Sequence, residues 1–329
     1  MLDNTPVSCK SLSAYYHVNG KRLEEQYRNH LSNFFTWDQL GHADQWLLFK
    51  ENIGPNLSID EVALTQGELY TVITNKSGKG KKGTLVAMVA TTQSERVIEV
   101  LKKIPVEERY KVEEITLDMA PTMERIASRA FPKATQVTDR FHVQKLAYDA
   151  LQQIRVAHRW EAIEQENNEM ALAKETNQTY RPHILDNGDT PKQLLARSRY
   201  LLFKAQNKWT VKQAFRADIL FERYPDLREA YTLTRELGTI YQKTKNKSVA
   251  YTKLAQWYNK IENSSFSKTF GTVARSIQLH YRNILNFFDN RSTNAAAESF
   301  NAKIKAFRSQ FRGVRSIAFF LFRLSKIYA

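Results

Sequence analysis

One carboxylate near the end of the chain stands out because of the charges that follow it. Glu298 lies in a predicted helix, and the thirty-one residues after it hold seven Lys or Arg and no acid. At 100° per residue, a helix separates a charged stripe from an apolar one. The charged stripe is Glu298, Asn301, Lys305, Arg308 and Arg312, and the apolar stripe is Phe300, Ile304, Phe307 and Phe311. An acid on a basic face fits metal-dependent chemistry on a polyanion, and an ordinary amphipathic helix with one solvated Glu has the same pattern.

Two aspartates lie in stretches that are typical of strands. Asp60 falls within the β-like run 57–64, and Asp118 directly follows a strand predicted over 112–117. Functional groups often gather where strands end, and neighbouring strands would bring these two carboxylates close together. A buried charge needs a partner or a metal, which favours a functional pair. A capping or turn-forming Asp at a strand end is the ordinary alternative.

The elements that would position these acids follow the order of a mixed α/β sheet. Branched and aromatic residues predict strands over 57–64, 68–74, 84–91, 112–117 and 134–138, and helices are predicted over 94–103 and 121–130. Three antiparallel strands followed by alternating crossovers predict a five-stranded mixed sheet flanked by helices. The glycine- and lysine-rich residues 77–83 fit a solvated hairpin tip better than a phosphate-binding loop.

Most of the remaining chain has helical character. Residues 1–50 predict short helices, and the region from about Arg155 to Asn283 predicts a helical insertion with a polar loop at 177–189. The helices of this insertion are predicted over 191–203, 212–224, 227–243, 251–262 and 272–288. Trp209 and Trp257 could stack on bases, but large aromatic residues at helical spacing usually belong to a core.

Composition points to a polyanionic partner, most simply nucleic acid. The 49 Lys and Arg exceed the 34 Asp and Glu and give a formal charge of +15. The single cysteine, Cys9, argues against a disulfide framework and against a cysteine-rich zinc site. No N-terminal apolar run resembles a signal peptide, and no run of about 18 apolar residues could span a bilayer. The sequence therefore predicts a soluble, cytoplasmic protein.

Four runs of residues together resemble a known family. Three of them are Ile59-Asp60-Glu61-Val62-Ala63, Thr116-Leu117-Asp118-Met119-Ala120-Pro121, and the stretch from Phe131-Pro132-Lys133-Ala134 to Thr138-Asp139-Arg140-Phe141-His142-Val143. The fourth runs from Ser292-Thr293-Asn294 to Glu298 and continues with Asn301, Lys303-Ile304-Lys305 and Arg312-Gly313. Over roughly residues 50–329, the sequence resembles the DDE transposases, and most closely the bacterial insertion-sequence group called ISL-three.

The resemblance implies a ribonuclease H-like core that is interrupted by an all-helical insertion before the last catalytic helix. The expected divisions are a short helical N-terminal segment at 1–50, the first part of the core at 51–155, the all-α insertion at 156–283 and the C-terminal catalytic part at 284–329.

The resemblance also implies a site. Asp60, Asp118 and Glu298 match the family's acidic triad, which would bind two Mg²⁺ ions, with Mn²⁺ as a substitute. Their separations of 58 (118 − 60) and 180 (298 − 118) residues suit an interrupted core. Asp139 also ends a strand and is an alternative second acid. Asp118 is preferred because Asp139 and His142 resemble the family's Asp/Cys-two-residues-His motif and would support the site. The residues expected to contact DNA are Arg140, Asn301, Lys305, Arg308 and Arg312.

The implied activity is cleavage and joining of DNA strands during movement of an insertion sequence. The expected partners are double-stranded DNA, at transposon ends and target, and a second copy in a homodimer. Many members carry an N-terminal zinc-binding or helix–turn–helix region, and residues 1–50 predict neither. A separate DNA-binding polypeptide, or a truncated or split element, would explain this difference. Two alternatives stay open at this point, a ribonuclease H-like nuclease without strand transfer and a non-catalytic DNA-binding protein derived from a transposase.

Overall fold

The computed structural model of the protein describes residues 1–64, 67–264, 267–311 and 316–329. The chain forms two compact units. The first combines Met1–Asp139 with Asn290–Ala329, and the second is Arg140–Asp289. The second unit is therefore an insertion in the sequence of the first. The four-part division predicted above, with boundaries after residues 50, 155 and 283, stays a prediction.

The first unit is built on a six-stranded mixed sheet. Its strands are β1 (Trp46–Leu48), β2 (Asn56–Ala63), β3 (Leu69–Asn75), β4 (Leu85–Val89), β5 (Glu114–Leu117) and β6 (Thr135–Thr138). Their order across the sheet is β1-β4-β3-β2-β5-β6. The pairs β1–β4, β4–β3 and β3–β2 are antiparallel, whereas β2–β5 and β5–β6 are parallel. The predicted class, a mixed α/β sheet with three antiparallel strands before the crossovers, is confirmed.

The prediction of five strands is corrected to six. Trp46–Leu48 lies in the segment predicted as short helices, yet it pairs with β4 and forms an edge of the sheet. A strand of three residues is too short to show an alternating pattern in the sequence. The side-chain amide of Gln39 covers its outer edge, because it donates to the Leu48 carbonyl at 3.0 Å and accepts from the Leu48 N–H at 2.9 Å.

Most predicted helices are observed near their predicted positions, but the helix predicted over 191–203 ends at Arg197 and the short helix at Val106–Arg109 was not predicted. In chain order they are α1 (Cys9–Tyr16), α2 (Gly20–Gln26), α3 (Ser94–Leu101), α4 (Val106–Arg109), α5 (Pro121–Ala130), α6 (Arg140–Glu175), α7 (Pro191–Arg197), α8 (Val211–Arg223), α9 (Pro225–Lys243), α10 (Lys247–Glu262), α11 (Ser267–Leu279), α12 (Tyr281–Asn290), α13 (Ala295–Ser309) and α14 (Ile317–Tyr328). A π-helical turn at Tyr27–Leu31 continues α2. Among the described residues, no helix is both long and apolar enough to cross a bilayer.

The sheet of the first unit is covered on both faces. On one face, α3 and α5 pack against inward-pointing aliphatic residues such as Ile59, Ile115 and Leu117. On the other face, α13 and α14 supply aromatic residues such as Phe300 and Phe320 to a second cluster. The apolar stripe predicted for α13 is therefore its buried face. Both layers are needed because a sheet that is apolar on both sides must bury both sides.

The second unit is all-helical. Its first helix, α6, runs for 36 residues, and its N-terminal part packs against α7, α9 and α11. The predicted helix over 272–288 is two helices, because α11 ends at Leu279 and α12 begins at Tyr281. The predicted loop at 177–189 is confirmed as the link between α6 and α7. Trp257 is fully buried and donates to the Leu233 carbonyl at 2.8 Å, which confirms its predicted place in the core.

The glycine-rich connection between β3 and β4 is a tight turn rather than a phosphate loop. A 3-10 turn at Lys76–Gly78 leads into Lys79, whose φ of 50° is left-handed. Lys79, Lys81 and Lys82 are exposed, as a solvated tip requires. Gly80 is buried, and its carbonyl accepts a hydrogen bond from the Lys303 ammonium on α13 at 3.0 Å. The tip is thus fastened to the helix that carries Glu298.

Candidate active site

Three aspartates lie in one row, at level positions of the three parallel strands: Asp60 within β2, just beyond its pairing with β5, and Asp118 and Asp139 directly after β5 and β6. Ser58 on β2 is level with Thr116 on β5, so Asp60 is level with Asp118 two residues later. Leu117 on β5 is level with Thr138 on β6, so Asp118 is level with Asp139 one residue later. The Asp139 N–H donates to the Leu117 carbonyl at 2.9 Å and continues the ladder. Adjacent parallel strands are about 4.8 Å apart, and level residues point to the same face.

Each aspartate of the β2–β5 pair has one carboxylate oxygen held by the backbone. Oδ1 of Asp118 accepts from the Ala120 N–H at 2.9 Å, just before α5 begins at Pro121. Oδ1 of Asp60 accepts from the Glu61 N–H at 2.8 Å. The negative charges of these aspartates affect the ionisation of the neighbouring Glu61. Desolvation, and then the charges of Asp118 and Asp60, raise the pKa of its carboxyl above its ordinary value.

Helix α13 is fastened to β2 on both sides of Glu298. Asn294 immediately precedes the helix, and its Nδ2 donates to the Ile59 carbonyl at 3.4 Å. Asn301 lies one turn after Glu298, and its Nδ2 donates to Oδ2 of Asp60 at 2.7 Å. Because residues four before and three after a helical residue share its face, these two contacts set the face on which Glu298 lies. Phe300 and Ile304 are fully buried on the opposite stripe and hold the helix against the sheet.

The structure brings Glu298 to the third aspartate of the row. A carboxylate oxygen of Glu298 and one of Asp139 lie within 4.8 Å of each other. Asp139 is 1% exposed, and its buried Oδ1 has no hydrogen-bond partner among the residues that the structure describes. A buried anionic oxygen without a donor is costly unless a cation balances it. In the part of the chain that the structure describes, Asp60, Asp118 and Glu298 do not form a set whose oxygens all lie within 4.8 Å.

These oxygen atoms suit a hard divalent cation. Carboxylates are the protein ligands that Mg²⁺ and Mn²⁺ prefer, and Asp139 Oδ1 is a buried acceptor that a cation would satisfy. The residue types of the row, with Glu298 opposite, therefore fit a metal site. His142, the predicted accessory histidine, lies in the first turn of α6 in the helical unit and is half-buried.

A buried ion pair lies on the polar face of β5, on the residues that precede Asp118. The Lys76 ammonium is 3.1 Å from Oε1 of Glu114 and also donates to the Thr116 hydroxyl. Asn290 donates to the second Glu114 oxygen at 3.2 Å. Burial lowers the pKa of Lys76. Burial alone would raise the pKa of Glu114, but hydrogen bonds from Ser292, Asn290 and Lys76, with the Lys76 charge, lower it below its ordinary value.

This network was missed at the level of sequence, although a signal for it exists. Glu114, Thr116 and Asp118 alternate with the buried Ile115 and Leu117. Polar residues with a period of two in a strand identify one polar face. In a central strand that is covered on both sides, such a face indicates buried polar groups that must pair with one another.

The residues predicted to contact DNA have different environments. Lys305 on α13 and Arg140 at the start of α6 are exposed. Asn301 is 7% exposed and bonded to Asp60, so its side chain supports an acid. Arg312 lies outside the described residues.

Arg308, which is also predicted to contact DNA, is paired with an acid of the same chain. Its side chain is 5% exposed, and two guanidinium nitrogens bond the Glu68 carboxylate at 3.1 and 2.7 Å. Such a bidentate pair uses the donors that a phosphate would need. Arg308 therefore joins α13 to the connection between β2 and β3, and spacing on a helical wheel could not reveal this because Glu68 is 240 residues away.

The strand order and the helices on both faces of the sheet define a mixed α/β protein, consistent with a ribonuclease H-like transposase fold. A family model described as a transposase, of the DDE type of the ISL-three group, matches residues 57–324. The chain belongs to this DDE transposase family, and its function is that of a transposase. No curated protein matches the chain. Members of the family cleave and transfer DNA strands and generally use divalent metal ions.

Proposed function

We propose that Asp60, Asp118 and Glu298 bind two Mg²⁺ ions, which Mn²⁺ can replace, and that this site both cuts DNA at transposon ends and joins those ends to a target. The observation that supports the proposal is the register of Ser58 with Thr116, which puts Asp60 level with Asp118, together with the hydrogen bond from Asn301 of α13 to Asp60. In this proposal, carboxylates from two strands and one helix would face a common space.

The chemistry divides between the cations and the chain. Two divalent ions about 3.5–4 Å apart would supply Lewis acidity at both oxygens of an in-line displacement at phosphorus. The three acids would hold them while leaving positions open to water and phosphate oxygens. With water as the nucleophile, the products are a 3′-hydroxyl and a 5′-phosphate. With that 3′-hydroxyl as the nucleophile, one phosphodiester bond breaks while another forms, so no covalent enzyme intermediate is required.

Supporting residues act through the acids or the DNA. Asn301 fixes the orientation of the Asp60 carboxylate by its 2.7 Å hydrogen bond. Asp139, within 4.8 Å of Glu298, would assist that acid, and His142 would act with Asp139 as an accessory residue. Lys305 and Arg140, both exposed, would neutralise phosphates, so binding should weaken as salt is added. The fold in this proposal is ribonuclease H-like, with Arg140–Asp289 as the insertion before the last catalytic helix.

The partners in this proposal are double-stranded DNA at transposon ends and at the target, a second copy of the chain and a separate DNA-binding subunit. A homodimer would hold two transposon ends together for a concerted reaction. The separate subunit would recognise the sequence of the transposon ends. Residues 1–50 show no metal-ligand spacing that would predict a zinc-binding domain for this task. The reaction would take place in the cytoplasm.

The test is Mg²⁺-dependent processing of a labelled duplex that carries a transposon end. Asp60→Asn, Asp118→Asn and Glu298→Gln should each lower cleavage by at least about a thousandfold, because each removes a charged metal ligand. Nonspecific DNA binding and the thermal unfolding midpoint should stay near wild type. Asp139→Asn separates the two candidates for the second acid, since it should reduce cleavage far less than Asp118→Asn. The opposite ranking would exchange their roles.

The products distinguish transposition from the alternatives. Joined DNA together with cleaved ends supports a transposase that performs both steps at one site. Cleavage without any joined product, in the presence of target DNA, would indicate a nuclease. DNA binding without metal-dependent cleavage, with the separate subunit supplied, would indicate a non-catalytic binding protein.

A further inference from the structure

The helical unit contains a cavity that the proposed chemistry does not use. It has a volume of about 540 Å³ and lies among α10, α11 and α12. Its lining includes three tyrosines and two amides, which are Tyr251, Tyr258, Tyr281, Asn259 and Gln278. This volume lies within the range of pockets that bind small organic groups. The cavity lies wholly within one compact unit of the chain.

The cavity has an apolar floor and an aromatic rim. Leu254, Ile277 and Leu285 are between 5% and 7% exposed and form the floor. Tyr251 is 57% exposed and Tyr281 is 40% exposed, so their rings stand at the rim. The two ring centroids are 6.5 Å apart, at an angle of 59°. Large aromatic rings that remain exposed beside a cavity offer flat surfaces on which another ring can stack.

The polar groups of the cavity suit the edge of a nucleobase. Among the described residues, neither the Asn259 nor the Gln278 side-chain amide has a hydrogen-bond partner. Each amide offers both a donor and an acceptor, as base edges require. The Arg282 guanidinium lies 5.8 Å from the centre of the Tyr281 ring and donates to its hydroxyl at 3.1 Å. A cation at the rim can meet the phosphate that accompanies a base.

The charge of the surrounding helices favours a polyanion over an apolar peptide. Residues 247–289 contain six Lys or Arg and two Asp or Glu, a balance of +4. By contrast, the exposed C-terminal half of α6, residues 156–175, contains two Lys or Arg and five Glu, a balance of −3. The helices that line the cavity therefore carry a net positive charge, unlike this half of α6.

We propose that this cavity binds a single unstacked base of DNA, with one of the two tilted rings of Tyr251 and Tyr281 stacking on its face, the other contacting its edge, and Arg282 contacting its phosphate. The inference rests on DNA being the substrate, as in the proposed function. An enzyme that cuts and joins strands at a DNA end produces distorted and unpaired nucleotides there. A site for one extruded base would hold such an end in place through contacts that fully paired duplex cannot make.

The test compares two duplexes of the same sequence, bound to the full chain in EDTA. One is fully paired, and the other carries 2-aminopurine opposite an abasic site. Wild type should quench the 2-aminopurine fluorescence and bind this duplex about 5- to 100-fold more tightly than the paired one, because stacking of one base contributes this much. Tyr251→Ala and Tyr281→Ala should each remove most of the quenching and of the preference, and should leave binding of the paired duplex unchanged.

Tyr200→Ala is the matched control. Tyr200 is 69% exposed in the same unit and has Arg199 5.4 Å from its ring centre, but it does not line the cavity. Its substitution should leave the preference intact. Circular dichroism melts of all three variants verify that the helical unit remains folded.

Two outcomes overturn the inference. The first is an equal affinity of wild type for both duplexes, with no quenching. The second is a change of sedimentation coefficient in Tyr251→Ala or Tyr281→Ala without any change in DNA binding, which would make the surface a protein interface. Absence of cleavage in Mg²⁺ with the base preference retained would count against the proposed function alone, because the binding assay uses no metal.

Discussion

The two faces of strand β5 have opposite characters, although they are built from alternating residues of one short segment. Ile115 and Leu117 point to one face and are fully buried among aliphatic residues of α3 and α5. Glu114 and Thr116 point to the other face and are almost as buried, at 4% and 0% exposure. Asp118 follows on that same polar face. The two faces are therefore buried to a similar extent, but different interactions stabilise the buried side chains on each face.

The apolar face gains stability directly from the removal of aliphatic surface from water. On the polar face, burial removes charges from water, which is unfavourable. The ion pair with Lys76 and the hydrogen bonds from Asn290 and the other donors around Glu114 offset this desolvation. This difference separates the roles of the faces, because on the polar side Asp139, level with Asp118, has a buried Oδ1 that receives no hydrogen bond from the described residues. The four predictions that follow test that separation, in order of expected effect.

Removing the buried cation should have the largest effect on stability. Lys76→Met leaves Glu114, whose side chain is 5% exposed, without its charged partner. We expect a loss of roughly 3 to 5 kcal/mol in the free energy of unfolding, which is typical when one member of a buried pair is removed. Urea denaturation at neutral pH measures this loss.

Two controls accompany the Lys76 variant. Lys82→Met removes an exposed lysine from the same β3–β4 connection and should change stability by less than about 0.5 kcal/mol. Adding Glu114→Gln to Lys76→Met removes the unpaired charge and should recover part of the loss. An unchanged urea midpoint for Lys76→Met would show that the ion pair does not support the polar face.

Truncation on the apolar face should cost nearly as much, but for a different reason. Leu117→Ala deletes a fully buried side chain and should lower stability by roughly 2 to 5 kcal/mol, through lost burial and a cavity. Cleavage per folded molecule should remain within a few-fold of wild type. Leu69→Ala, at a position 40% exposed on β3, is the matched control and should have little effect. A folded Leu117→Ala protein without activity would show that the two faces are not independent.

Much of this architecture could be predicted from the sequence, because it depends on local patterns. The predicted strand over 57–64 is observed at Asn56–Ala63, and the predicted helix over 121–130 is observed as Pro121–Ala130. Alternation, apolar periodicity and a proline in the first turn are properties of neighbouring residues, so they can be recognised without knowledge of the fold.

The parts that could not be predicted depend on contacts between distant residues. Arg308 was predicted to contact DNA from its position on a helical stripe, but its partner Glu68 lies far away in the sequence. The register that places Asp139 beside Asp118 and brings it near Glu298 is likewise a property of the folded sheet. The acids could be identified as a set by family resemblance, and their use as metal ligands stays a prediction.

The link between the polar face and α13 should have a smaller, catalytic effect. Asn301→Ala removes the donor to Asp60 and should reduce cleavage by about 10- to 100-fold, a usual cost of losing a group that orients a metal ligand. The Mg²⁺ concentration that gives half-maximal rate should rise as well. Asn294→Ala is the comparison, because Asn294 bonds a backbone carbonyl rather than an acid. If both variants shift the Mg²⁺ requirement equally, Asn301 acts only by docking the helix.

The smallest effect concerns pH. Because the pKa of Glu114 is lowered in the folded protein from its ordinary value of 4.5, its ionised form stabilises the fold. That contribution is fully present above pH 4.5 and is lost as the pH falls through the lowered folded pKa. The difference in unfolding free energy between wild type and Glu114→Gln should therefore be constant above pH 4.5 and shrink below it. Denaturant titrations at a series of pH values measure this difference in unfolding free energy. A difference that does not change with pH would show that Glu114 stabilises the fold through packing and not through its charge.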